Sequence, residues 1–312
     1  MKAVLVTGGA GFIGSHVADA LLARGDAVVV VDDLSSGRRA NVPAAARFVQ
    51  GDLAEPGLAE RALDGCDRVV HCAARPSVVV SVDDPVASNR ANLEASTRLC
   101  VAAARAGVRR LVYSSSSAVY GGTDESPADE ERRERPLSPY GMNKLAAEQL
   151  FRMAPGLWGL DTFSLRYFNV YGPRQDPGSP YSGVVSLFIT AALAGRAPVI
   201  HGDGLQSRDF TYVDDVVRAN LAALDTEQAD GRVANVGRGH SVTVAALWAA
   251  VAAACGRPEL HAGHAPTRPG DIRHSRAATR RAHEWLGFEA RTPLDAGLRL
   301  TVAWYRSAAS GG

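Results

Sequence analysis

Two side chains four residues apart, Tyr140 and Lys144, could carry proton chemistry in this chain. Positions i and i+4 share one helical face. An ammonium beside a phenol favours the phenolate and lowers the phenol from its ordinary value of ~10, which suits a general base. Upstream, Ser114-Ser115-Ser116-Ser117 supplies hydroxyls that could hydrogen-bond an oxygen undergoing oxidation. Near the N-terminus stands Gly8-Gly9-Ala10-Gly11-Phe12-Ile13-Gly14. Glycines there permit a tight turn and let backbone N–H groups approach a pyrophosphate, to which a helix N-terminus adds partial positive charge. Asp32 lies about 20 residues further on, where a carboxylate accepts hydrogen bonds from ribose hydroxyls and repels a 2′-phosphate. That spacing favours NAD over NADP, although Arg38 and Arg39 stand close enough to bind a 2′-phosphate. Asp52 follows a third strand and could lie near the adenine. No Lys follows Gly14, which argues against a P-loop nucleotidase.

These groups need a frame. Ala3–Val6, Ala27–Val31, Arg47–Gln50, Arg68–His71 and Leu111–Ser114 read as strands. Phe12–Ala23, Pro85–Ala106 and Pro139–Met153 read as helices between or after them. Continuous β-branched runs separated by helices indicate parallel strands buried on both faces, hence a Rossmann-like, doubly wound α/β sheet. Beyond about Gly172, clusters of Gly and Pro predict a smaller, loop-rich C-terminal lobe. The expected division is 1–171, mainly dinucleotide-binding, and 172–312, mainly substrate-binding, with some later elements returning to the first part. The charged run Asp129–Arg135 reads as a solvated loop.

Composition sets outer limits. The chain has 312 residues, with 34 Lys+Arg against 33 Asp+Glu and a net charge of +1. That balance gives no electrostatic footprint for nucleic acid or an anionic membrane. The longest apolar stretch, Val244–Cys255, is shorter than the ~20 residues of a membrane span. Cys66, Cys72, Cys100 and Cys255 are scattered in apolar context, which reads as reduced thiols in a cytoplasmic protein. No metal site is expected, because His261, His264 and His274 match no metal-ligand spacing and read as surface groups. His71, at the end of a buried strand, reads as a satisfied core group.

Several longer stretches sharpen the reading. They are Ser114–Gly121, Tyr140/Lys144, Arg166-Tyr167-Phe168-Asn169-Val170-Tyr171-Gly172-Pro173-Arg174-Gln175-Asp176-Pro177, Arg208-Asp209-Phe210 and Arg268-Pro269-Gly270-Asp271. With the glycine loop, they make the chain resemble the extended short-chain dehydrogenase/reductases, in the NAD-dependent nucleotide-sugar epimerase/dehydratase branch. The resemblance implies Ser116 and Tyr140 as the catalytic hydroxyls and Lys144 as partner of Tyr140 and ligand of the nicotinamide ribose. It implies cofactor contacts from Gly8, Gly11, Phe12, Ile13, Gly14, Asp32, Asp33, Ser35, Ser36, Gly37, Asp52, Leu53, Ala73, Ala74, Asn92, Ser114 and Tyr167. It places Asn169, Arg208, Arg268 and Asp271 on the sugar nucleotide, the arginines on its two phosphates. Arg75, Ser117, Arg174, Val184, Val199, Ile200, Phe210 and Ser275 complete that set.

The implied activity is inversion at C4 of a UDP-hexose through a transient 4-keto sugar. Ser117 and Ala118 stand where 4,6-dehydratases carry an Asp-Glu pair, so the acid needed to expel a 6-hydroxyl is absent. UDP-glucose/UDP-galactose ranks first and their N-acetyl forms second, since Ser275 leaves room where some relatives carry Tyr. A UDP-glucuronate pair ranks third, because Arg75 or Arg174 could meet its carboxylate. An NDP-sugar dehydrogenase or reductase shares every motif, and a non-catalytic NAD-binding sensor is the remote rival. The resemblance also implies a homodimer through the helices near Pro85–Ala106 and Pro139–Met153.

Overall fold

The computed structural model describes residues 3–122, 127–176, 178, 183–227, 229–267 and 272–310. Six strands of the main sheet come early: β1 (Ala3–Thr7), β2 (Val28–Asp32), β3 (Arg47–Gln50), β4 (Cys66–His71), β5 (Arg110–Ser116) and β6 (Asp161–Tyr167). Short ladders follow, pairing β7 (Val170–Tyr171) with β10 (Thr211–Tyr212), β9 (Ser207–Arg208) with β12 (Val242–Thr243), and β8 (Val199–His201) with β13 (Gly263–Ala265). Strand β11 (Arg232–Val236) returns to the main sheet, whose order among the described residues is β11-β6-β5-β4-β1-β2-β3, every pair parallel. The chain winds outward from β1 to β3, then crosses back to β4. That reversal between β1 and β4 opens a crevice at their carboxyl ends.

The β-branched runs form buried strands because both sheet faces are covered. On one face, α1 (Phe12–Ala23) and α8 (Val213–Asp225) pack Val17, Leu21, Val216 and Ala219 against Val4, Val6 and Val30. On the other, α2 (Leu58–Leu63), α5 (Ala95–Arg105) and α6 (Pro139–Trp158) pack Leu58, Leu99, Ala147 and Phe151 against Leu5, Val29 and Val69. A third apolar cluster joins α7 (Val184–Leu193), α9 (Val244–Ala254) and α11 (Leu294–Ser310) around Phe188, Trp248 and Leu298. Helix α10 (Arg280–Leu286) precedes α11 and sets Ala282 into the first cluster.

Two helices differ from the sequence reading. Residues expected as one helix from Pro85 divide into α4 (Pro85–Asn89), a π-helical turn at Arg90–Glu94 and α5, preceded by α3 (Val78–Asp83). Helix α6 runs past Met153 to Trp158 with Pro155 inside it. A proline lacks the N–H that would bond the carbonyl four residues back. Here the Thr162 hydroxyl donates to the Phe151 carbonyl at 2.6 Å in its place. The helix stops at Gly159, which adopts φ +67°. Its start fits the sequence, with Pro139 in the first turn and the Ser138 hydroxyl accepting from Gly141 N at 3.1 Å.

The glycine loop closes the β1–α1 turn under steric constraint. A Cβ on Gly14 would lie 2.3 Å from the Gly8 carbonyl oxygen, and one on Gly8, at φ +66°, 2.7 Å from Ala73 N. Gly14→Ala should therefore cost about 2 kcal/mol by overpacking, seen as a thermal midpoint several degrees below wild type. An unchanged midpoint would show that the turn relaxes freely.

Candidate active site

The crevice between β1 and β4 continues into a cleft of about 550 Å³ that reaches the C-terminal lobe. On its dinucleotide side, Gly8, Gly11, Phe12, Ile13, Gly14, Asp32, Asp33, Ser35, Ser36, Asp52, Leu53, Ala73 and Ala74 line the wall. Helix α1 follows Gly11, which offers no side-chain cap, and has no acidic residue in its first turn. Its first N–H groups and dipole are thus left to an anionic ligand. Asp32, mostly buried, accepts from Ala10 N at 3.0 Å and Leu34 N at 2.8 Å. Gly37 does not line the cleft. It backs the turn, where a Cβ would lie 2.8 Å from both the Ala10 methyl and Asp32 Oδ1. The two arginines considered for a 2′-phosphate are engaged elsewhere. Arg38 pairs with Asp176 at 2.7 Å, and Arg39 stacks over the Phe48 ring at 4.8 Å.

A buried hydrogen-bond chain stiffens this wall. Ser96 Oγ donates to the Asn92 carbonyl at 2.6 Å, so its 2.9 Å contact with His71 requires the N–H on Nε2. His71 Nδ1 then accepts from Thr7 Oγ1 at 2.6 Å, and Thr7 Oγ1 accepts from Ala73 N at 3.1 Å. Burial, with Lys144 nearby, pushes the imidazole down to about 3, so it stays neutral near pH 7. Asn92, itself outside the cleft, accepts from Arg75 N at 2.9 Å and so fixes the segment that does line it.

At the carboxyl end of β5, Ser114, Ser116, Ser117, Tyr140 and Lys144 converge on the same cleft with Tyr167. Ser116 and Tyr140 line the same part of the cleft, and the Ser116 oxygen accepts from Ala118 N at 3.1 Å. Lys144, buried on α6, donates to the Ser114 carbonyl at 2.8 Å and lies 4.9 Å above the Tyr113 ring. Ser114 Oγ meets the Tyr167 hydroxyl at 3.0 Å. The expected lowering of the phenol is not found in the protein alone. Burial pushes Tyr140 up to about 12, opposed by the Ser116 hydroxyl, while burial pushes Lys144 down to about 8. Desolvation outweighs the attraction because the ammonium is turned toward the Ser114 carbonyl.

The lobe side holds Arg75, Asn169, Arg174, Arg208 and Ser275 on the cleft wall. Arg174, at φ +65°, pairs with Asp19 on α1 at 2.7 Å. Arg75 lines the cleft with no partner for its guanidinium among the described residues. Four expected substrate residues do not line it. Ile200 and Phe210 are buried in the lobe core, Val199 is exposed on β8, and Val184 packs at the start of α7. Arg268 and Asp271 fall outside the described residues. Cys72, Arg132, Gln175, His274 and Arg276 line the cleft and were missed. The run Asp129–Arg135 is no solvated loop. Glu130 is buried, accepting from Asn235 N at 2.7 Å, Glu134 pairs with Arg166 at 2.6 Å, and Arg132 faces the cleft. His274, although exposed, meets Ser207 Oγ at 2.9 Å beside the cleft.

The chain matches the NAD dependent epimerase/dehydratase family over residues 4–237, and it belongs to that family. UDP-glucose 4-epimerase of Mycolicibacterium smegmatis is 42% identical over 310 residues, spanning 97% of this chain and 98% of that protein. A UDP-glucose 4-epimerase of Thermotoga maritima, solved with UDP-glucose, superposes with a TM-score of 0.94 at 38% identity, covering 98% of this chain and 99% of that one. The structure of MoeE5 with UDP-glucuronic acid and NAD superposes at 0.88 with 40% identity and the same coverage. Among the described residues no helix is long and apolar enough to cross a membrane.

The His71 chain yields a signed pH dependence. An unfolded histidine takes up a proton as pH falls through ~6.5, but the folded ring resists until about 3. The unfolded state therefore binds more protons between those values, and stability falls as pH drops through that window. His71→Gln should flatten this loss in urea unfolding between pH 6.5 and 4. An equal slope in both proteins would locate the acid sensitivity elsewhere.

Proposed function

We propose that the cleft performs NAD-dependent inversion at C4 of a UDP-hexose, with UDP-glucose and UDP-galactose as the leading pair. The observation that carries this is the meeting of Ser116, Tyr140 and Lys144 with the uncapped α1 N-terminus and Asp32 in one cleft. The donor set fits NAD: N–H groups for the pyrophosphate, Asp32 for the adenosine ribose, and no uncommitted arginine at the 2′ position. When bound, NAD would supply a reversible hydride acceptor. Tyr140 takes the proton of the C4 hydroxyl and returns it, and Ser116 holds the same oxygen. Lys144 supplies positive charge one helical turn below Tyr140, which lowers the cost of the phenolate. Arg208, with Arg268, holds the diphosphate, while the sugar turns about that link and can present either face. Ser117 and Ala118 offer no carboxyl, so elimination of a 6-hydroxyl has no acid.

A UDP-glucuronate substrate is the second reading, favoured by Arg75, whose guanidinium is uncommitted where that of Arg174 is tied to Asp19. A homodimer fits the exposed Val86, Met142, Met153 and Leu157 along α4 and α6. A reducing, cytoplasmic setting fits four free cysteines. The division near Gly172 into a dinucleotide part and a substrate lobe fits the separate third apolar cluster.

Incubating the pure protein with UDP-glucose, UDP-N-acetylglucosamine and UDP-glucuronate, then resolving epimer pairs, decides the substrate. Interconversion of UDP-glucose and UDP-galactose is expected, and turnover of glucuronate alone would overturn the ranking. Mass spectrometry should find no 4-keto-6-deoxy sugar and no CO₂. Tyr140→Phe should slow epimerisation at least ~10²-fold, the scale of losing a general base, with UDP affinity kept. A rate within threefold of wild type would require another base. Ser275→Tyr should suppress N-acetyl turnover more than glucose turnover, and equal losses would show that Ser275 does not gate the pocket.

A further inference from the structure

One residue row beneath the catalytic row, Ser115, Arg166 and Asn235 are register partners across β5, β6 and β11. Arg166 is fully buried, and so is Glu148, which lies on α6 one turn beyond Lys144 and two beyond Tyr140. Arg166 Nε and Nη2 donate to Glu148 Oε2 at 2.9 Å and Oε1 at 2.6 Å, and Ser115 Oγ donates to Glu148 Oε2 at 2.6 Å. Arg166 Nη2 also donates to Glu134 at 2.6 Å, in the segment that carries Arg132 into the cleft. The guanidinium lies 4.7 Å over the Tyr120 ring. Tyr120 in turn donates to Asn235 Oδ1 at 2.6 Å, and Asn235 Nδ2 donates to the Ala128 and Ala278 carbonyls.

The geometry points to Arg166 as a positioning residue with two separable arms: through Glu148 it sets Tyr140 and Lys144 against Ser116, and through Glu134 it seats the substrate wall. The inference rests on the epimerase reading of the cleft. A buried ion pair gains little net stability, because desolvation offsets the attraction. Its consequence here is geometric. Glu148 is shared by Ser115 and Arg166, so α6 cannot slide along β5 without breaking charge-assisted bonds that have no water to replace them. The Glu134 arm touches neither Tyr140 nor Ser116. It fixes the stretch from Ala128 to Pro136, whose Arg135 carbonyl lies where a Cβ on Gly121 would meet it at 2.0 Å.

The two arms predict opposite kinetic signatures in the purified holoenzyme acting on UDP-glucose. Glu148→Gln should lower kcat at least ~10-fold with KM within about twofold, as expected for an interaction expressed only in the transition state. Glu134→Gln should raise KM about fivefold or more and leave kcat within about twofold. Should Glu148→Gln fail to fold, Ser115→Ala removes one bond to the carboxylate and leaves the ion pair, and its kcat should fall about threefold or more with KM unchanged. A folded Glu148→Gln or Ser115→Ala enzyme with wild-type kcat overturns the inference, as does kcat and KM moving together in both arms. A wild-type enzyme inert toward every UDP-hexose would overturn the epimerase reading instead. Calorimetry with UDP then still reads the Glu134 arm: weaker binding in Glu134→Gln, with Glu148→Gln like wild type, supports it, and equal affinity in all three overturns it.

Discussion

The cleft depends on a close approach between the end of β1 and the end of β4. Gly8 and Ala73 abut so tightly that a Cβ on the first would meet backbone of the second. This contact exists because β1 and β4 are hydrogen-bonded neighbours whose onward chains diverge, one into α1 and the other into the cleft wall. Their shared hydroxyl–imidazole bridge, Thr7 to His71, is satisfied at both ends, so no polar group is stranded by the burial. The dinucleotide side of the cleft, the segment Ala73–Arg75 and the position of α5 all refer back to this pair of strand ends.

Electrostatics in the cleft follow from dryness. The same desolvation raises the Tyr140 phenol to about 12 and lowers the Lys144 ammonium to about 8, so near pH 7 the phenol is neutral and the lysine keeps most of its charge. A neutral phenol in an enclosed site costs little to bury. It responds strongly to any positive charge brought beside it, because the surrounding dielectric screens weakly. The Ser116 hydroxyl, which favours the ionised phenol, lines the same cleft.

The parallel sheet, the glycine turn and the Tyr140/Lys144 helix were legible because each has a local cause: β-branched runs, positive φ and a capped helix start. Positions of β3 and α1 followed residue for residue from these patterns. What was not legible depends on distant partners. The run Asp129–Arg135 looks solvated until Arg166 and Asn235, strands away, supply Glu134 and Glu130 with bonds. Arg38 looks free for a phosphate until Asp176 meets it. Ile200 and Phe210 carry the right residue types for a pocket, but the third apolar cluster claims them. The continuation of α6 through Pro155 needed Thr162, a partner that no helix rule can anticipate.

The π-helical turn at Arg90–Glu94 makes chain length itself a determinant. Such a turn amounts to one extra residue inside an α-helix, and each residue rotates the helix by about 100°. Before the turn, Ser88 meets Asn143 on α6; after it, Ser96 meets His71 at the sheet. The wider turn takes up that residue, so the segments on either side keep the phase of a regular helix one residue shorter. Deleting one position inside the turn should restore a regular α-helix with both contacts kept, whereas deleting two would swing the later side chains by about 100°. The tolerance of this helix for gaps is therefore local, one residue deep and confined to Arg90–Glu94.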